Sequence, residues 1–347
     1  VTEEHRRRRR LRRGLSRLVG EVGPDLERHV GELEPLLWRL EGALNDLGTG
    51  AASPPGFSPT THLAPGVPRI RPLLVFLAAR AAGDEMPSEH EVASAAELLH
   101  LAVAVHDAAL GRQGGRRRRV ARRLLGGAAH WLGGNHLTLR SLELARSSDA
   151  PEILGEVLDA LREIGEGHAL AEDLRHRDPS EADYRDFAEV HTGAVFAFCT
   201  RAGGHLAGAP RPMVTALGRY GRHMGVAWHA LEDQWCFDSD PEQLLRYLAH
   251  RAATGRPMLP LIRALERDPE VDALLDHVLV EGEPSDAAVL AERVVAAGGL
   301  GAVKQLVVTE SFAARRALRT LPETPHREIL DRLARGLVTD GQVPTAM

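Results

Sequence analysis

The stretch ELLHLAVAVHDAALGRQGGRRRR, residues 97–119, decides the fold. Its first part, Leu98 to Val105, is apolar apart from His100 and predicts a buried helix that carries His106 and Asp107 to its C-terminal end. Gly111, Gly114 and Gly115 then break the helical pattern, and four consecutive arginines follow, Arg116 to Arg119. A buried helix that ends in a carboxylate, a glycine loop and a guanidinium cluster is apparatus for holding an anion, directly or through a metal ion.

Upstream, residues 1–47 read as a charged, helix-forming segment, with Leu11, Leu15, Leu18 and Val22 at helical spacing behind the arginine run 6–10. Residues 48–68 hold Pro54, Pro55, Pro59, Pro65 and Pro68 and exclude a regular helix or a central strand. This loop delivers Arg69 and Arg71 to the segment RPLLVFLAARAA, residues 71–82, which is apolar nearly all round and therefore belongs in the interior. Further helices are predicted over 89–107, 120–145, 152–174, 181–206, 213–237, 257–265, 285–297, 300–321 and 325–338, with an acidic turn at 238–241. No run of alternating β-branched residues interrupts them, so residues 69–340 read as a single all-α domain.

Composition narrows the function. With 347 residues and 44% hydrophobic content the chain can bury a sizeable core. A net charge of -5 argues against a nucleic-acid or anionic-membrane partner, and against reading the arginine clusters as a phosphate-backbone surface. Cys199 and Cys236 stand far apart, without metal-ligand spacing, as expected of reduced thiols in a cytoplasmic protein. No apolar run reaches the length of about 18 residues expected of a transmembrane segment. Lys304 is the only lysine, so an arginine where another protein has lysine carries little information.

The chain resembles the trans-isoprenyl diphosphate synthases, the polyprenyl synthetase family, in five blocks taken in order. The opening stretch is similar to their ELLH…HDDxxD run with its following arginine pair, and GVPRIRPLLVFLAARAAG, residues 66–83, to their GGKRLRPLLV segment. Residues 189–209, EVHTGAVFAFCTRAGGHLAGA, resemble their HTGK segment. RYGRHMGVAWHALEDQWCFDSDPEQL, residues 219–244, resembles their second acidic helix, and GRPMLPLIRALE, residues 255–266, their GKxTLPL segment. The resemblance implies an isoprenoid synthase-type helical bundle around a central apolar cavity, usually homodimeric.

In that family an allylic diphosphate is ionised with Mg²⁺ ions held between two carboxylate-rich motifs, which neutralise the leaving group while an apolar pocket shelters the carbocation. Carried over, the catalytic positions are Asp107, Glu232 and Asp233, the metal positions Asp107, Glu232, Asp233 and Asp238, and the diphosphate-binding positions Arg69, Arg71, Arg116, Arg117, His191, Thr192 and Arg256. The first motif departs from the pattern. Ala108 and Gly111 stand where two of its aspartates belong, so the i, i+4 carboxylate pair that would share a metal cluster is gone. In the second motif Glu232 replaces an aspartate and Cys236 another, with Asp238 and Asp240 close behind; Pro68 stands at a family lysine.

Two expectations of different class follow. One is a family member without ordinary chain elongation, a pseudoenzyme or the non-catalytic subunit of a prenyl diphosphate synthase, working as a homodimer or beside an intact partner. The other is an active Mg²⁺-dependent prenyltransferase or terpene-forming enzyme with a reduced metal site. Three further readings attach to single positions. His100, seven residues before Asp107 on the same face, can orient that carboxylate; Trp228 and Trp235 can face a cation or simply pack; Ala102 and Val103 leave room for a prenyl chain.

Overall fold

The computed structural model describes residues 69–83, 87–110 and 127–339, together with residues 28, 29, 32, 35, 37 and 39. The expected N-terminal segment, the proline-rich loop and Arg116 and Arg117 therefore lie almost wholly outside the described residues.

The fold is organised by its most apolar helix. In α1, Ile70–Ala82, every residue from Leu73 to Ala79 is completely buried, as the apolar circumference of that segment requires. Helix α2, Glu89–Leu110, packs beside it, and α3, Gly127–Arg146, lies along α2, tied to it where Ser141 Oγ donates to the Ala95 carbonyl at 2.8 Å. α4, Glu152–Leu174, buries the stripe Ile153, Val157, Ala160, Ile164, Gly167, Ala171 and Leu174, a four-three spacing that keeps one face inward along its length.

Ser180 starts α5, Glu181–Ala188, with a capping box: its side chain accepts from the Asp183 N–H while the Asp183 carboxylate accepts from the Ser180 N–H. The sequence predicts one helix from 181 to 206. Instead a π-helical turn, Glu189–Gly193, separates α5 from α6, Ala194–Leu206. α7, Arg211–Phe237, is the long helix against which α6 packs on one side and α12 on the other.

Two helices are not assigned by the sequence reading. Asp240, in the expected acidic turn, caps α8, Pro241–Thr254, by accepting from the Gln243 N–H at 2.9 Å, with Pro241 in the first turn where its missing N–H is harmless. The other is α10, Glu270–Glu281. Between them runs α9, Leu259–Leu265, and α11, Pro284–Ala296, α12, Gly299–Ala317, and α13, Pro325–Thr339, complete the chain. The main core joins α1, α2, α4, α6, α7, α12 and α13, while a smaller cluster under α8 to α11 gathers Phe237, Leu248, Met258, Val271 and Leu290. No strand occurs among the described residues, and none of their helices is long and apolar enough to cross a membrane.

Candidate functional site

Asp107, one turn from the end of α2, is buried, and three side chains from three other segments converge on it. His168 of α4 donates from Nε2 to Asp107 Oδ1 at 3.0 Å. His191 of the π turn stands with Nε2 3.6 Å from Asp107 Oδ2. Arg256 forms a buried ion pair with Asp107 Oδ1, and the same guanidinium donates to His191 Nε2 at 3.0 Å. Burial alone would push the Asp107 carboxyl up, yet the Arg256 charge, the hydrogen bond from His168 and the neighbouring His191 outweigh it and hold the group well below the ordinary carboxylate range. His191 is moved the other way from its usual value: burial, and then the neighbouring Arg256, lower it to about 4, so at neutral pH it is an uncharged imidazole.

Local structure explains this convergence. Gly255 closes α8 in the left-handed conformation at φ +68°, and a side chain there would run into the Ala171 carbonyl of α4. Glycine therefore lets the chain turn against α4, so that the next residue, Arg256, reaches Asp107 beside His168, one turn before Ala171. Gly167 allows a second close approach: a Cβ on it would lie 3.1 Å from Val190 Cγ2, which brings the His168 ring to 5.9 Å from that of His191. The π turn offers His191 to Asp107 and stacks it on Phe187 at 5.1 Å, while Thr192, next in sequence, meets His229 Nδ1 at 2.9 Å. Single π turns of this kind are rare and recur at functional sites.

The second acidic helix end is organised around a different cation. Asp233 is completely buried; its Oδ1 accepts from Arg251 at 2.8 Å and from the Tyr247 hydroxyl at 2.9 Å, and its Oδ2 faces the Leu259 N–H at 3.4 Å. Glu232 is half-buried and accepts from Trp228 Nε1 at 2.9 Å, and burial raises its carboxyl above the ordinary value. Asp238 is the exposed residue that ends α7. Arg69 pairs with Glu97, and Arg71 lies buried with its guanidinium 5.3 Å from the centre of the Phe196 ring. Trp228 and Trp235 contact one another edge to face, with ring centres 5.5 Å apart.

Of the residues singled out in the sequence, the structure thus brings Asp107, His191 and Arg256 together, with the Thr192 hydroxyl 3.4 Å from His191 Nδ1. Asp233 belongs to a network with Arg251 and Tyr247. His100 is not a hydrogen-bond partner of Asp107 among the described residues; burial and Arg71 lower its pKa well below the usual imidazole value. The sequence reading misses His168, whose one signal is its place beside Gly167 at the edge of the buried stripe of α4. It also misses Arg251 and Tyr247, four apart on one face of α8.

The helical architecture and the conjunction of acidic helix ends with buried arginines define a protein of the all-α isoprenoid synthase class. The Polyprenyl synthetase family profile matches residues 57–296. The octaprenyl diphosphate synthase of Escherichia coli (strain K12) is 30% identical over 278 residues, covering 78% of this chain and 84% of that protein. The all-trans-nonaprenyl-diphosphate synthase (geranyl-diphosphate specific) of Rhodobacter capsulatus is 29% identical over 274 residues, with 78% and 84% covered. The crystal structure of a polyprenyl synthase from Caulobacter crescentus CB15, complexed with calcium and isoprenyl diphosphate, superposes with a TM-score of 0.76 at 26% identity, over 93% of this chain and all of that one. The chain belongs to the polyprenyl synthetase family.

Proposed function

We propose that this chain is a polyprenyl synthetase-family protein without ordinary chain-elongation activity, acting as a pseudoenzyme or as the non-catalytic subunit beside an intact prenyl diphosphate synthase. The observation that carries the reading is the ion pair between Arg256 and Asp107, because it occupies the one carboxylate left in the first motif. Mg²⁺ takes about six ligands, nearly all oxygen. Around Asp107 the other candidate donors are two imidazoles, and a guanidinium lies against the carboxylate. Both Asp233 oxygens face N–H or O–H donors, which leaves Glu232 and the exposed Asp238 as the accessible carboxylates of the second motif. These donors do not fit a magnesium cluster, and without one a departing diphosphate lacks the charge neutralisation that electrostatic catalysis requires.

On this reading a partner subunit covers apolar side chains of α3 and α4. Trp131, Leu132 and Leu139 of α3 and Leu158 of α4 are each about half exposed, at 46%, 57%, 59% and 52%, and apolar side chains of this size gain from being covered by a second subunit. Arg71 and, when free of Asp107, Arg256 are guanidiniums suited to bidentate contact with a prenyl diphosphate, and Ala102 and Val103 are small residues on the same helix as Asp107.

Calorimetric titration with a nonhydrolysable farnesyl diphosphate analogue, with and without Mg²⁺, together with an assay for elongated prenyl products, tests the reading. Binding indifferent to Mg²⁺ with no elongated product is expected. Binding that requires Mg²⁺, accompanied by product, would establish the active prenyltransferase or terpene-forming enzyme instead.

A further inference from the structure

Asp107, His168 and His191 come from α2, α4 and the π turn, and their donor atoms all lie within 4.8 Å of one another. The two imidazoles address different oxygens of the carboxylate, His168 Nε2 at 3.0 Å from Oδ1 and His191 Nε2 at 3.6 Å from Oδ2. A tetrahedral ion with bonds of about 2.1 Å spaces its ligands about 3.4 Å apart, between those two separations. Two nitrogens and one carboxylate oxygen are a borderline-soft donor set, suited to zinc, cobalt or iron and ill suited to magnesium.

A second observation points to a cation at this place. One nitrogen of Arg256 already bridges Asp107 Oδ1 and His191 Nε2, so two of the three donors are turned toward a shared positive charge. Arg256 lies outside the helices, between the glycine that closes α8 and the start of α9, with its guanidinium 5.7 Å from the Phe187 ring centre. It can therefore withdraw along the ring face without unwinding a helix.

We infer that Asp107, His168 and His191 form a site for one divalent transition-metal ion of the zinc or cobalt kind, and that Arg256 is the resident cation which the metal displaces. On binding, His168 moves its proton from Nε2 to Nδ1 by exchange with solvent, leaving the Nε2 lone pair for the metal. The fourth position is left to water or to an anion, which the displaced Arg256 is placed to meet. The site does not depend on elongation, because two imidazoles join Asp107, the one carboxylate kept in the first motif, and make a donor set that magnesium does not favour.

The test is a cobalt titration of the full chain after chelator treatment, followed by visible absorption. One equivalent of Co²⁺ with the d–d bands of a nitrogen-ligated tetrahedral ion is expected, displaced by Zn²⁺ and indifferent to excess Mg²⁺. His168→Ala and His191→Ala should each weaken binding at least tenfold, whereas His176→Ala, at an exposed histidine beyond α4, should change nothing. Arg256→Gln, which removes the competing charge, should tighten binding. His168 is the partly exposed member, so its variant retains the fold, as circular dichroism would verify. Absence of a stoichiometric cobalt spectrum, or one that persists unchanged in His168→Ala, overturns the site. Weaker binding in Arg256→Gln overturns the displacement.

Discussion

Replacing Arg256 by Gln should expose how Asp107 is tolerated in the interior. Both side chains of the pair are 8% exposed, and removing one partner of a buried pair costs about 3–5 kcal/mol, because the other charge is left uncompensated. Here His168 and His191 still face the carboxylate, so the lower end, about 3 kcal/mol, is expected in metal-free protein near about pH 8. The loss should shrink in mild acid. In the wild-type fold His191 is held at about 4, below the imidazole value of the unfolded chain. Its contribution to stability is therefore complete above the unfolded value and is lost as pH falls toward the folded one. Removing the Arg256 charge lets the folded value rise, so the variant gives up less over the same interval. By about pH 5.5 the deficit should be smaller by about 1 kcal/mol. His250, whose pKa is lowered to about 4 by burial and then by Arg256, shifts in the same direction. Urea unfolding of both proteins at the two pH values, followed by far-ultraviolet circular dichroism, reads the difference directly. A variant as stable as wild type in the alkaline range, or a deficit that does not change with pH, would refute the reasoning.

Asp233→Asn should destabilise the chain by about 3 kcal/mol or more, since Arg251 would remain buried without its anion; replacing the pair together, Asp233→Asn with Arg251→Met, should recover part of that loss in the same unfolding measurement. Gly225→Ala should lower thermal stability by about 2 kcal/mol or more, because the new Cβ would lie 2.7 Å from Gly193 Cα and 2.8 Å from the Thr192 carbonyl, backbone that cannot turn aside. Both thiols should resist iodoacetamide in the native protein near neutral pH and react only on unfolding: burial pushes each up to about 12, so neither presents thiolate. Rapid labelling of Cys199 in folded protein would contradict its complete burial.

Much of this fold is legible in the sequence because burial follows from apolar periodicity. α1 has no polar face after Arg71 and can only be interior, and α4 matches its expected bounds of 152–174 because its stripe never slips register. α8 is harder to read, since Asp240 before it and Pro241 at its start signal a turn as well as a capped helix start. The π turn leaves no mark in the pattern, because α6 is apolar and buried nearly all round, so a shift of phase by one residue turns no polar stripe inward. Asp107, His191 and Arg256 could be singled out one by one from the family's motifs, but their mutual contact joins segments 65 or more residues apart. His168 follows no motif; only the geometry of Gly167 and Gly255 gives it a partner.

The π turn has a bearing on descent. Because it holds one residue more than an α-helical path would need, loss of a single codon between Glu189 and Gly193 could be absorbed by an ordinary helix, leaving α5 and α6 on their present axes. Such a deletion would rotate position 191 away from Asp107 while sparing the bundle. Among related genes, a one-residue gap at this point would mark lineages that kept the scaffold and gave up the imidazole cluster.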